Sequence, residues 1–177
     1  MQNARIDERE TLFEGRIFEL VRETLELPSG LRQTVEWVKH PGAVGIAAQD
    51  EEGRLLLVRQ YRAAVGDWTY EIPAGRLEAG EEPESAARRE LEEETGLRAR
   101  SIDHLQTILP APGFASERLY IFVAREFEAA GADALSCDPD EEIEVAWLSL
   151  DEVIAGASQD AKTLVAALLL RDGSAPA

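Results

Sequence analysis

Gly75-Arg-Leu-Glu-Ala-Gly80-Glu81-Glu-Pro83-Glu-Ser-Ala-Ala-Arg-Arg89-Glu90-Leu91-Glu-Glu93-Glu94-Thr-Gly96-Leu97 decides how the rest of the chain reads. Its second half, Pro83 to Thr95, carries matched helix signals. Proline at the first turn lacks an N–H that a helix start leaves unused. Acids near that start suit the positive end of the helix dipole, and Gly96 permits a left-handed stop. Glu90, Glu93 and Glu94 fall at i, i+3 and i+4, so they share one face of that helix. Three carboxylates side by side repel one another. Hard divalent cations such as Mg²⁺ want several oxygen ligands and bridge to phosphates, so the triplet is a candidate metal face. A solvated acidic face is the alternative in a chain with 35 acidic residues, and the triplet alone does not separate the two.

The residues just upstream do. Glu71-Ile-Pro-Ala-Gly75 reads as a strand end followed by a turn, and Gly75 lets the backbone turn tightly and approach a ligand. Gly75, five residues, Glu81, seven residues, then Arg89-Glu90-Leu91-Glu92-Glu93-Glu94-Thr95-Gly96-Leu97 matches the Nudix box at every defined position across 23 residues. A pattern of that length is far more specific than a short glycine motif. The chain therefore resembles the Nudix hydrolases. The resemblance implies a soluble, metal-dependent enzyme that cleaves the phosphoanhydride bond of a nucleoside diphosphate joined to another group. It implies an α/β Nudix fold, a mixed sheet sandwiched by helices. It also implies that Glu90, Glu93 and Glu94 bind Mg²⁺ (Mn²⁺ is the alternative), joined by the backbone carbonyl of Ala74. Glu81 would pair with Arg89 and hold the loop against the helix. Leu91 and Leu97 would be core positions, and Arg88 solvated.

Around this motif the chain divides into strands. Residues 11–38 read as a small antiparallel sheet of about three strands, with Pro28-Ser-Gly30 as a turn signal. His40-Pro41-Gly42 breaks the pattern and sets a boundary between an N-terminal β-sheet module, 1–40, and a catalytic domain, 41–177. Ala43–Ala48, Arg54–Gln60, Trp68–Ile72, Ile102–Leu109, Leu119–Arg125 and Ile143–Leu148 read as strands. Asp151–Gly156 and Ala161–Leu170 read as helices. Mixed strands around one long helix make an α/β arrangement that is not a run of βαβ units.

Composition bounds the rest. A chain of 177 residues with 45% hydrophobic content suits one globular unit with a small extra module. A net charge of -17 argues against nucleic acid or an anionic membrane as partner, and it opposes a polyanionic substrate unless a bound divalent cation intervenes. One cysteine, Cys137, excludes an intrachain disulfide and suits a reducing cytoplasm. The polar stretch Met1–Glu10 has no signal-peptide core, and the longest apolar run, Leu164–Leu170, is too short to span a bilayer.

The Nudix box leaves the substrate open. Within the family the chain resembles the ADP-ribose pyrophosphatase branch. The likeness lies in Pro112, 16 residues after Gly96, in Val58-Arg-Gln-Tyr-Arg62, in Glu71-Ile-Pro-Ala-Gly75 and in His40-Pro-Gly-Ala-Val44. One departure is Ala115-Ser-Glu117, where many relatives carry Ser-Asp-Glu. The resemblance makes ADP-ribose the expected substrate, with AMP and ribose 5-phosphate as products. It puts Arg62 on the diphosphate and Gly113 and Glu117 on the ribose side, with Arg32 a contact lent across a homodimer. It puts the general base in Asp138–Val145, with Glu141 favoured, Glu142 the alternative, and Glu93 counted with the catalytic groups as well as the ligands. Trp37 and Trp68 could stack a base but are read first as core or interface, and His40 and His104 as structural. Two rivals stand beside this reading. One is a Nudix pyrophosphatase for another nucleotide, such as GDP-mannose, a dinucleoside polyphosphate or an oxidised nucleotide. The other is a non-catalytic nucleotide-sensing domain.

Overall fold

The structure is a computed structural model and describes residues 3–131, 135 and 143–173. Cys137, Glu141 and Glu142 lie outside the described residues. The chain forms two compact units, Met1–Gly42 with Leu109–Arg118, and Ala43–Ile108 with Leu119–Ala177.

The smaller unit is built on three antiparallel strands in the order β1 (Arg5–Glu14), β2 (Glu19–Glu26) and β3 (Arg32–Lys39). Sequence patterning started this sheet at residue 11, yet β1 begins at Arg5. The early part of β1 has no apolar alternation to read. It is tied to β2 by charge, with Arg5 on Glu26 at 2.9 Å and Arg9 on Glu23. Cross-strand pairs of opposite charge are the sheet counterpart of helical i, i+4 pairs. Leu109–Arg118 joins this unit through β3: the Val38 N–H donates to the Phe114 carbonyl at 2.7 Å, and the Ser116 N–H to the Val38 carbonyl at 2.9 Å.

The larger unit contains β4 (Ala43–Ala48), β5 (Leu55–Arg62), β6 (Asp67–Glu71), β7 (Ala74–Arg76), α1 (Pro83–Thr95), β8 (Leu97–Ile108), β9 (Leu119–Ala129), β10 (Glu144–Leu148), α2 (Leu150–Glu152) and α3 (Ala161–Arg171). Its sheets run β7-β4-β9-β8 and β10-β5-β6, with β4 and β9 parallel and the other pairs antiparallel. Side chains alternate across each strand. Ala43 and Ala47 of β4 therefore join Leu55, Leu57, Ile121 and Val123 beneath Ala166, Ala167 and Leu170 of α3. Val44, Ile46 and Ala48 point the other way and join Leu56, Phe122 and Ala124 beneath Ala86, Ala87 and Leu91 of α1. Strands buried on both faces must be apolar throughout, which is why Ala43–Ala48 and Leu55–Val58 are unbroken apolar runs. This is the expected mixed sheet between helices.

Two local expectations change. Pro73-Ala-Gly75 is more than a turn, because Ala74–Arg76 pairs with Ala43–Gly45 as β7. Proline has no N–H to give, but its carbonyl accepts from the Ile46 N–H at 2.8 Å and brings the next residues alongside β4. The helix expected over 151–156 is a single turn capped by Ser149 and Glu152. It passes into a wide turn that ends at Gly156, whose φ of 118° no helix continues. Among the described residues no helix is long and apolar enough to cross a membrane.

Candidate active site

Helix α1 starts at Pro83 and stops at Gly96, whose φ is 68° and whose N–H donates to the Glu92 carbonyl. Leu91 and the paired alanines Ala86 and Ala87 anchor one face in the core. That burial fixes the rotation of the helix and turns Glu90 and Glu94 toward β7. The Ala74 N–H donates to the Glu94 Oε2 at 3.1 Å. Gly75 lies so close that a Cβ there would sit 1.9 Å from the Glu90 carboxyl carbon. The backbone of a separate segment is thereby brought against two of the three carboxylates.

Arg89 offsets the repulsion along this face. It donates to both oxygens of Glu81 at 2.9 Å, to Glu90 Oε1 at 2.6 Å, to Glu93 Oε2 at 2.8 Å and to the Arg76 carbonyl at 3.2 Å. Hydrogen bonding to Glu81 is the largest influence on its pKa, which lies well above the ordinary guanidinium value. Glu81 is held below the usual carboxylate range by the same contact. The Glu78 N–H also donates to Glu81, at 3.0 Å, so this one pair ties the 76–81 loop to the helix. Among the described residues no three His, Cys, Asp or Glu side chains are already drawn together into a metal cage. The donor set nevertheless fits a hard divalent ion: carboxylate oxygens one helical turn apart, with backbone close by and no soft sulfur ligand among them.

Glu71 closes β6, with its side chain 6% exposed. Arg62 grips it bidentately, Nε to Oε1 at 2.7 Å and Nη2 to Oε2 at 2.8 Å. Thr69 Oγ1 and Lys162 Nζ donate to it as well. Burial alone would raise the Glu71 pKa, but these donors outweigh burial and hold it well below the usual carboxylate range. Helix α3 secures the same segment a second time. Asp160 caps the helix by accepting from the Thr163 N–H at 3.0 Å, and the buried Thr163 Oγ1 accepts from the Ile72 N–H at 2.8 Å. Sequence patterning gives no role to Glu71 or Lys162. A lone cation in the first turn of the apolar helix Ala161–Arg171 is the signal that marks it.

The other sequence candidates lie on other elements. Gly113 and Glu117 lie in the Leu109–Arg118 segment of the smaller unit. There Glu117 Oε1 stands 3.9 Å from His40 Nδ1. Arg32 on β3 is paired with Asp7 at 2.8 Å. His40 Nδ1 accepts from the Gly42 N–H, and His104 bonds Thr107 and packs edge-on to Phe122, so both histidines have structural partners. Trp37 donates to Glu23, while Trp68 packs against Tyr61 and under the Arg59 guanidinium. Arg88 lies on the surface with Glu84.

Comparison with known proteins fits this geometry. The NUDIX domain family matches residues 39–168. The chain belongs to the Nudix hydrolase family. It is 40% identical over 146 residues, 82% of this chain and 78% of the relative, to the ADP-ribose pyrophosphatase of Bacillus subtilis (strain 168). It is 37% identical over 166 residues, 92% of this chain and 89% of the relative, to a protein of Bacillus methanolicus named methanol dehydrogenase activator. A solved structure of an ADP compounds hydrolase covers 98% of this chain and 95% of its own, with a TM-score of 0.83 at 24% identity, which speaks for the fold.

Proposed function

We propose that this enzyme hydrolyses the diphosphate bond of ADP-ribose to AMP and ribose 5-phosphate, with Mg²⁺ as its cofactor. The observation that carries the reading is the seating of Ala74–Gly75 on Glu90 and Glu94, which brings the β7 backbone against two of the three carboxylates. The relative named ADP-ribose pyrophosphatase supports the choice of substrate. A divalent ion held by Glu90, Glu93, Glu94 and the Ala74 carbonyl would screen the diphosphate from a chain of net charge -17 and lower the pKa of an attacking water. Arg62 meets the diphosphate. Glu71 occupies its Nε edge, which aims the guanidinium and leaves the Nη1 edge for phosphoryl oxygens. Glu141, outside the described residues, is the proposed base on sequence grounds, with Glu142 the alternative and Glu93 counted beside it. Gly113, Glu117 and Arg32 are carried as substrate contacts on the family resemblance.

The same reading makes the enzyme a cytoplasmic homodimer, joined through a module at 1–40, with the catalytic domain at 41–177. Support comes from the apolar side chains that the small sheet leaves exposed, Ile6, Phe13, Ile17, Phe18 and Leu31.

A substrate panel at fixed Mg²⁺ tests the proposal: ADP-ribose, GDP-mannose, a dinucleoside polyphosphate and an oxidised nucleotide. The highest kcat/KM is expected for ADP-ribose, with AMP and ribose 5-phosphate resolved chromatographically. A clear preference for another member would replace the substrate, and binding without turnover would favour a sensing domain. Arg62→Ala should raise KM for ADP-ribose by about tenfold or more.

A further inference from the structure

Lys162 sits where a helix disfavours a cation. The amino-terminal turn of a helix carries the positive end of its dipole, yet Lys162 is the second residue of α3 and its side chain is 13% exposed. Its stem lies along β4, where a Cβ on Gly45 would meet Lys162 Cδ at 3.7 Å. Its ammonium is shared between Glu71 Oε2 and Asp160 Oδ1, the latter at 3.1 Å. The other Asp160 oxygen is engaged in capping α3. Glu71 thus faces two cations, Lys162 and the bidentate Arg62. Arg62, Lys162, Glu71 and Asp160 together carry no net charge. Without Lys162 the other three would carry one net negative charge beside the guanidinium.

We infer that Lys162 is a positioning residue: it acts through Glu71 on Arg62, so that the carboxylates around the aimed guanidinium do not outweigh its charge toward a diphosphate. This rests on the reading of Arg62 given above. The groups are brought together by the fold, since Lys162 and Glu71 are 91 residues apart. Lys162 itself touches neither the substrate nor the carboxylates of α1 in this scheme. Its effect should therefore fall on substrate affinity and leave the turnover step largely alone.

The test is a set of variants assayed on the full chain with ADP-ribose at saturating Mg²⁺, each with a thermal melt. Lys162→Met should raise KM about tenfold with kcat within about twofold of the parent. Lys162→Arg, which keeps the charge, should stay within about threefold of the parent KM. Glu71→Gln combined with Lys162→Met restores the parent's net charge in the cluster, and it should bring KM back by at least about threefold from the single Lys162→Met value. Should Lys162→Met fail to fold, Lys162→Gln carries the same expectation. A parent-like KM in Lys162→Met beside a raised KM in Arg62→Ala would overturn the inference and leave the reading of Arg62 intact. A kcat and melting temperature that fall together with KM unchanged would overturn it in favour of a structural role. An unchanged KM in Arg62→Ala would remove the reading of Arg62 and the inference with it.

Discussion

Gly75 shows how one missing side chain can hold a site open. A methyl group there would overlap the Glu90 carboxylate, so Gly75→Ala must push either α1 or β7 aside. Initial-rate assays should show kcat reduced by about a hundredfold or more, because displacements near an ångström disrupt oriented catalysis on that scale. A Gly75→Ala enzyme within a few-fold of the parent would refute the proposed seating. Glu71 makes a prediction about acid. Its pKa is below its ordinary value in the folded chain, so it contributes stability at pH values above that ordinary value. That contribution is lost as pH falls toward the folded value. Denaturant melts at pH 7 and pH 3 should show the parent losing stability on acidification. Glu71→Gln should start about 2 kcal/mol lower at pH 7, less than a fully buried pair because Arg62 is partly solvated, and should change less between the two pH values. Parallel losses in both proteins would contradict the assignment.

Helix α3 shows what an element can do beyond packing. Its cap, Asp160, holds Thr163, and Thr163 accepts the Ile72 N–H beside the glutamate at the end of β6. Asp160→Ala should cost about 1 kcal/mol from the lost cap, measurable in urea. It should also weaken Mn²⁺ binding, followed by calorimetry on the unliganded enzyme, because the Ile72–Ala74 backbone loses its register. An unchanged Mn²⁺ affinity with the stability loss alone would confine α3 to packing. How much of this was legible in the sequence depends on how local each element's signals are. Pro83 and Gly96 bound α1 to the residue because both act within one turn. The core strands were legible because two-sided burial leaves only apolar residues. The start of β1 was hidden because charge pairs with β2 hold it, and β7 was hidden because its partner β4 lies some thirty residues earlier. Arg62 was picked out by the family resemblance, but its clamp on Glu71 spans a hairpin, and Lys162 arrives from the far end of the chain. Contacts closed over such distances leave no periodicity to read.

For the whole molecule, a net charge of -17 and an anionic substrate are opposed unless cations intervene. The proposed dimer is the other property at this scale. A sheet of three strands with Phe13 and Phe18 exposed buries little of its own apolar surface. Light scattering at micromolar concentration should give twice the chain mass, and removal of residues 1–40 should give a monomer with raised KM; a full-length monomer would refute the interface. The bond from Ile72 to Thr163 has a bearing on the order in which the protein is made. Residue 72 leaves the ribosome long before residue 163, and a helix cannot dock before it exists. Until then the Ile72 N–H lacks its partner, and Glu71 holds Arg62 with no second cation to share it. A growing chain could carry the entire Gly75–Leu97 motif and still lack an ordered loop beside it. Competence would then come late in synthesis, with the arrival of a helix that contributes no group to the proposed reaction itself.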